Sequence, residues 1–479
     1  MRGYFTADQV RDAEAPLLSS LPEGALMRRA AYGLAQVIVD ELRSRTGGVV
    51  HRTVALLVGS GDNGGDALWA GAFLRKRGVV VRAILLDPAR AHQKGLDAFL
   101  RAGGRVAADL GEPDLVVDGI VGISGRGALR PDAAAMVAQV RCPIVAVDLP
   151  SGVDANTGAV CGPAVTAAVT VTFGALKPVH VLASPQCGRV ELIDIGLDLG
   201  EPVFQSLEPS DVGELWPVPG PGDDKYSQGV VGVIAGSDRY PGAGVLCTGA
   251  AVTSTSGLVR FAGPGAAEVL SRFPEVVASS TFEEAGRVQA WVVGPGMGID
   301  AGAAALLELV LATDVPVVID ADGLTLLAQD PDLVRRRTAP TLLTPHAGEF
   351  ARLAGREVGA DRVSATRELA SDLGASVLLK GHTTVIADRV GRVLVNDAGG
   401  SWASTAGSGD VLSGVIGALL ASGLTPLEAA AVGARAHALA ANLAAAGGMV
   451  DVAGAPISAS PLLGRVRDAV RVLRSFARD

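Results

Sequence analysis

Short apolar runs alternate with stretches of helical spacing along most of the chain. "TVALLVG", "VVVRAILL", "DLVVDGIVG", "PIVAVDLP", "AAVTVTFG" and "VELIDIG" are β-rich and apolar at successive positions. Runs that are apolar on both faces and separated by helical segments predict a parallel sheet covered on both sides. Upstream, Thr6 and Gln9 have the spacing of a capping box, and "GALMRRAAYGLAQVIVDELRSR" reads as a second helix. The pattern stops near Leu199. A Pro- and Gly-rich stretch, "EPVFQSLEPSDVGELWPVPGPGDDKYSQG", marks a boundary before alternation resumes in "VVGVIAGS", "AWVVGPG", "VPVVIDADG", "PTLLTPH" and "ASVLLKG". "TTVIADRVGRVLVN" predicts an antiparallel hairpin. An Ala-rich helical region follows, with Thr425, Pro426 and Glu428 as a start signal and Gly447-Gly448 as a stop. The pattern predicts two α/β domains, residues 1–205 and 206–479.

Composition narrows the class of function. The net charge of −9, with no block of Lys or Arg, argues against a nucleic-acid surface. Apolar runs are interrupted before the ~18 residues that suggest a membrane span. Cys142, Cys161, Cys187 and Cys247 form no C-x-x-C pair, so neither a zinc site nor a redox motif is indicated. The N-terminal stretch lacks the apolar core of a signal peptide, and a reduced cytoplasmic protein is expected.

The chemistry is concentrated in two glycine-rich segments. In "VGSGDNGGDALWAG", Gly59, Gly61 and Gly64 satisfy the G-x-G-x-x-G spacing that lets a turn approach a pyrophosphate, and Asp87 is placed to take a ribose hydroxyl. Asp62 and Asp66, read as part of the same loop, count against that use. Two unit charges ~4 Å apart repel by ~4 kcal/mol at an effective dielectric of 20. These carboxylates suit sugar hydroxyls, amides or a monovalent cation better, and Asn63 adds a hard oxygen. Asp118 with the loop that follows it, and Asp148 with Ser151, fall at the ends of the next strands, where open α/β sheets bind ligands. A dehydrogenase and a set of purely structural turns are the competing readings.

Near the other end, "STAGSGDVLSG" holds Gly407, Ser408 and Gly409 ahead of Asp410. Free backbone amides there would cradle phosphate, and Asp410 is either a base for an attacking hydroxyl or a helix N-cap. Lys380 and the run Gly381–Thr384 could edge an adenylate. His346, in "TLLTPHAGEF", is expected on a loop facing a ligand.

"GSGDNGGDAL", "VDGIVGISGRG" and "VDLPSGVDANTG" resemble the signatures of the NAD(P)H-hydrate epimerase family, over roughly residues 1–205. The resemblance implies a Rossmann-like three-layer α/β/α fold and interconversion of the R and S hydrates at C6 of the nicotinamide ring. It also implies a substrate site formed by Asp62, Asn63, Gly64, Gly65, Asp66, Gly122, Ile123, Ser124, Gly125, Arg126, Gly127, Ala128 and Asp148. A potassium ion would be held by Asn63, Asp118 and Ser151, and Asp148 would act as acid or base. Lys177, in "GALKPVH", is either a ligand-orienting group or a solvated surface lysine. The segment departs from the family at Asp62, where asparagine is usual, and at Arg28, which replaces an acidic residue.

"AGSDRYPGAGVL", "GPGMG", "VVIDADGL", "TPHAGEF", "LLKGHTT" and "GSGDVLSG" resemble the ADP- or ATP-dependent NAD(P)H-hydrate dehydratase family, of ribokinase-like fold, over about residues 207–479. By that resemblance Ala243, Gly298, His346 and Asp410 contact the S hydrate, while Lys380, Gly381, His382, Thr383, Thr384 and Gly409 contact the nucleotide. Asp410 is the expected catalytic base and Mg²⁺ the expected metal. Together these imply a metabolite-repair enzyme acting on hydrated NADH and NADPH with an adenine nucleotide, a homo-oligomer with neither nucleic acid nor membrane as partner. A small-molecule kinase fused to a ligand-binding domain, and a nucleotide sensor without catalysis, are the rival readings.

Overall fold

The structure is a computed structural model and describes residues 1–125, 127–255, 257–447 and 453–477. The chain divides into two compact units, Gly3–Val203 and Phe204–Asp479, with Met1 and Arg2 counted with the second.

In the first unit a seven-stranded sheet runs in the order Arg105–Val106, Val80–Leu85, Thr53–Val58, Leu115–Gly119, Ile144–Val147, Val169–Phe173, Arg189–Ile193. All neighbours are parallel. Successive side chains of a strand point to opposite faces, which is why the apolar runs are unbroken. Val54, Leu56 and Val58 enter one core with Leu34, Ile38, Leu68 and Phe99. Ala55 and Leu57 enter the other with Val116, Ile144 and Ala146. The order reverses between Thr53–Val58 and Leu115–Gly119, and the crevice beyond the carboxyl ends of such a pair is where open sheets bind ligands.

In the second unit the strands of an eleven-stranded sheet after residue 203 run Phe204–Ser206, Val393–Asp397, Thr383–Ala387, Ser376–Leu379, Thr341–Leu343, Val317–Ile319, Ala290–Val293, Val230–Ile234, Leu258–Ala262, Val277–Ser279. The sheet is parallel from Ser376–Leu379 to Val277–Ser279. Thr383–Ala387 and Val393–Asp397 form the expected antiparallel hairpin. The helices Pro241–Ser254, Ser408–Ala421 and Pro426–Ala446 bury their small residues in the largest core. The last starts on the Thr425–Glu428 capping box and stops at Gly447, while Gly448 lies outside the described residues. Among the described residues no helix is long and apolar enough to cross a membrane.

Candidate active sites

The first glycine-rich segment is shorter as a loop than its sequence suggests. A helix begins at Asp62 and runs to Arg75, so Asp62 and Asp66 belong to its first two turns. Two of the three glycines serve close packing: a β-carbon on Gly59 would fall 1.8 Å from the Ile120 carbonyl oxygen, and one on Gly64 2.3 Å from that of Gly59, whereas one on Gly61 would meet nothing within 4 Å. Packing of this kind overrides the low helix propensity of Gly64 and Gly65.

That close approach brings three strand ends together. The Asn63 amide donates to the carbonyls of Val147 at 2.6 Å and Val121 at 3.2 Å. Asp118, fully buried, accepts from the Ser151 hydroxyl at 2.7 Å and amide at 2.8 Å, and from the Ile120 amide at 3.2 Å. Burial pushes the Asp118 carboxyl up to about 6, against the lowering effect of those bonds. The Val121 amide donates to the Ser151 hydroxyl at 3.0 Å, and through Val121 Asn63 joins Asp118 and Ser151 in one connected cluster.

Next to it, Asp148 adopts a left-handed backbone conformation with φ +68°. Its Oδ1 lies 2.6 Å from the Lys177 ammonium, which also donates to Thr172 Oγ1 at 2.8 Å and the Ala175 carbonyl at 3.3 Å. Lys177 is 1% exposed. It is therefore a buried partner of Asp148, and the solvated-surface reading is corrected: a lysine can be buried when paired and hydrogen-bonded. His180 braces the main chain of both residues, with Nδ1 accepting from the Lys177 amide at 2.9 Å and Nε2 2.8 Å from the Asp148 carbonyl. Burial, aided by the Lys177 charge, holds His180 down at about 4. It is neutral near pH 7, and Nε2 carries the proton that the carbonyl accepts.

Asp66 lies within electrostatic reach of Asp148. Its carboxyl is raised well above the usual range by burial, then by the charges of Asp148, Asp62 and Glu14. Glu14, from helix Ala7–Ser20, is likewise raised by burial and by Asp148. A cavity of about 420 Å³ is lined by Glu14, Asp62 and Asp66 together with Arg28, Trp69 and Phe173. Of the segment after Asp118, Gly122 packs against the Asn63 side chain, whose oxygen would lie 2.3 Å from a β-carbon there. The Arg11 guanidinium donates to the Ile123 carbonyl at 3.2 Å and the Ser124 hydroxyl at 3.4 Å. Gly125 shares a small cleft with these two residues, and Gly127 and Ala128 are exposed. Arg126 lies outside the described residues.

In the second unit a cavity of about 730 Å³ is lined by His346, Lys380, Gly381, His382, Thr384, Gly409 and Asp410, among others. Helix Ser408–Ala421 is capped by Gly407 in a left-handed conformation, so Asp410 is its third residue and the N-cap reading is corrected. The Ser408 amide donates to the Thr405 carbonyl at 3.3 Å, which leaves those of Gly409 and Asp410 available to an anion. The Asp410 carboxyl is raised to about 7 by burial and by the Asp320 charge, with Lys380 opposing. Lys380 lies 2.7 Å from Asp320 Oδ1 and 3.7 Å from Glu349 Oε2, and Ser413 donates to Asp320 Oδ2 at 2.8 Å. These charges keep the Lys380 ammonium above its usual range although burial lowers it.

His346 ends the loop between strand Thr341–Leu343 and helix Ala347–Ala354, on the cavity wall. It caps helix Ala347–Ala354, Nδ1 accepting from the amides of Gly348 and Glu349, while its side chain stays exposed. Thr383 is buried and does not line the cavity. Ala243, in the first turn of helix Pro241–Ser254, and Gly298, in the loop after strand Ala290–Val293, also lie outside its wall. A β-carbon on Gly296 would come within 2.7 Å of that of Ala243, and the Gly298 amide donates to Asp322 Oδ2 at 2.9 Å. Sequence reasoning did not single out Asp320, Glu349, Ser413 or Glu14, nor His437, which lines the second unit's cavity with Nε2 2.9 Å from the Ser408 carbonyl. Asp320 had a signal, since it follows the strand Val317–Ile319 directly.

Two family models match the chain: "YjeF-related protein N-terminus" over residues 23–179 and "NAD(P)H-hydrate dehydratase" over residues 231–460. A bifunctional NAD(P)H-hydrate repair enzyme of Mycobacterium tuberculosis is 64% identical over 435 residues, covering 90% of this chain and 92% of that protein. The chain belongs to the bifunctional NAD(P)H-hydrate repair enzyme family. Another family member, from Mycobacterium leprae, is 61% identical over 99% of this chain and 100% of its own length. The second unit of this repair enzyme has the α/β fold of ribokinase-like proteins. It is similar to the crystal structure of ADP/ATP-dependent NAD(P)H-hydrate dehydratase from Bacillus subtilis, co-crystallised with ATP and Mg²⁺, with 25% identity and a TM-score of 0.50 over 57% of this chain and 99% of that one.

Proposed function

We propose that the chain restores hydrated NADH and NADPH in two steps, one in each unit. The second unit removes water from the S hydrate at the expense of an adenine nucleotide. The observation that carries this reading is Asp410, set at a helix N-terminus on the wall of a large cavity, beside the Lys380–Asp320 pair. With its carboxyl raised to about 7, Asp410 is matched to proton transfer near neutral pH. It takes the proton of the C6 hydroxyl as the oxygen attacks the terminal phosphoryl group. The helix amides and Lys380 offset the phosphate charge, and the nucleotide brings Mg²⁺ as part of the substrate. Inorganic phosphate then leaves C6 with the C–O bonding pair as a proton passes from C5 to solvent, which forms the C5=C6 bond of the dihydronicotinamide.

The first unit supplies the S form by inverting C6 of the R hydrate, with Asp148 as the proton-transferring carboxylate. Asn63, Asp118 and Ser151 fit a potassium ion. Their donors are hard oxygens, and Asp118 is a fully buried carboxylate with no Lys, Arg or His in ion-pair distance among the described residues. Such an ion would neutralise Asp118 and fix the loops around the substrate. The four cysteines are free thiols, which fits a reducing compartment such as the cytoplasm.

The test uses the purified chain with an R/S mixture of NADH hydrate, K⁺, Mg²⁺ and ADP or ATP, followed by dihydronicotinamide absorbance. Full conversion supports both activities, arrest near half supports the second alone, and no recovered NADH refutes the reading.

A further inference from the structure

Asp66 has a feature that substrate binding alone does not explain. It is 7% exposed, it lines the 420 Å³ cavity of the first unit, and its Oδ1 is buried with no hydrogen-bond partner among the described residues. A buried polar atom left unpaired costs about 1–3 kcal/mol, and more if it is charged. Ionised, Asp66 would also face Asp148, Asp62 and Glu14, and the Lys177 ammonium is already committed to Asp148, Thr172 and the Ala175 carbonyl. As a neutral acid it presents a proton to the cavity. Asp66, on the cavity wall with an unpartnered oxygen, is thus the carboxyl suited to hold a proton, and within electrostatic reach of it Asp148 is ion-paired to Lys177; two carboxyls in such different surroundings divide the acid and base roles between them.

We propose that Asp66 is the proton donor of the epimerase centre and acts on the ring nitrogen N1 while Asp148 accepts the proton of the C6 hydroxyl. The inference rests on the epimerase reading of this unit. As Asp148 removes the hydroxyl proton, the oxygen pair forms a C=O bond and the C6–N1 bond breaks. The N1 electron pair takes the Asp66 proton, leaving an open-chain aldehyde and a secondary enamine. Rotation about C5–C6 presents the other face of the carbonyl. N1 then attacks C6, returning its proton to Asp66, and the oxygen recovers its proton from Asp148. Every atom is conserved and both carboxyls end as they began. C6 keeps its oxygen throughout, so inversion by this route does not pass through loss of water.

The experiment uses the full chain bearing Asp66→Asn, which preserves side-chain size. Starting from pure R hydrate with nucleotide and Mg²⁺, the dehydratase unit reports each inversion as NADH, its own rate on S hydrate calibrates that readout, and hydrogen exchange of the strands Ile144–Val147 and Val169–Phe173 serves as the folding control for the first unit. We expect kcat for inversion to fall by about 10²- to 10⁴-fold with KM little changed, and Asp66→Glu to recover part of the loss. In ¹⁸O-labelled water the inverted product of the parent chain is expected to keep its original oxygen. Undiminished inversion by Asp66→Asn would overturn the assignment, as would one labelled oxygen gained per inversion. A parent chain that does not invert the R hydrate at all would refute the activity together with the inference.

Discussion

The ammonium of Lys380 lies 2.7 Å from Asp320 Oδ1 and holds a second carboxylate, Glu349, at 3.7 Å. Asp320 and Glu349 are 1% and 5% exposed. Replacing Lys380 by Met leaves two buried carboxylates without their cation, a change that costs about 3–5 kcal/mol in comparable buried pairs. The expected outcome is a lower denaturant midpoint for the second unit and a raised KM for nucleotide. Unchanged unfolding would show that solvent, not Lys380, balances these charges.

Dehydration depends on ionised Asp410. Because its carboxyl is raised to about 7 by burial and by Asp320, kcat/KM is expected to rise with pH up to about 7 and then level. Asp320→Asn removes a repelling charge, so the acid limb moves to lower pH. Asp410→Asn lowers kcat by about 10²- to 10⁴-fold and leaves inversion of the R hydrate untouched. Rate profiles of the three proteins on S hydrate decide the matter, and a limb that stays in place in Asp320→Asn would remove Asp320 from the electrostatics of the site.

Lys177→Met is expected to abolish inversion and to destabilise the first unit by about 3–5 kcal/mol, because Asp148 is then left buried without its counter-ion. Dehydration of S hydrate by the same protein continues. Hydrogen exchange of the strands Ile144–Val147 and Val169–Phe173 reports the loss; protection equal to that of the parent chain would contradict it.

Potassium is expected to raise the melting temperature of the first unit at pH 8, through mass action on the folded state. The effect fades below pH 6, where Asp118, raised by burial to about 6, holds a proton instead. Asp118→Asn should lose the K⁺ response. A melting curve indifferent to K⁺ at pH 8 would argue that the Asn63–Asp118–Ser151 cluster is closed by its own hydrogen bonds.

Much of the fold was legible because both sheets are built from runs that bury two faces at once, as Thr53–Val58 does. Among the strands that escaped notice, Arg2–Tyr4, Arg105–Val106, Phe204–Ser206 and Val277–Ser279 are short, and Leu258–Ala262 carries the charge of Arg260. In the sites, the glycines and Asp410 could be found because their spacing along the chain is itself the signal. The partners could not. Lys177 pairs with Asp148 across 29 positions and Lys380 with Asp320 across 60, so neither pairing leaves a local pattern. Glu14 lies on an N-terminal helix whose sequence gives no sign that it ends at an acidic pit. The placement of Asp62 and Asp66 in a loop failed because tertiary contacts at Gly59 and Gly64 stabilise a helix that propensity alone would start later.

The positive φ of Asp148 narrows what that position accepts before chemistry is considered. Its amide donates to the Val171 carbonyl at 2.7 Å, and its own carbonyl meets His180, so the bend is fixed from both sides. Apart from glycine, aspartate and asparagine are among the residues that enter this region at least expense. A glutamate of equal charge is disfavoured by the main chain itself. The one substitution that isolates the carboxylate, Asp148→Asn, is also one the bend tolerates, so conformation and reactivity can be separated at this residue by a single atom.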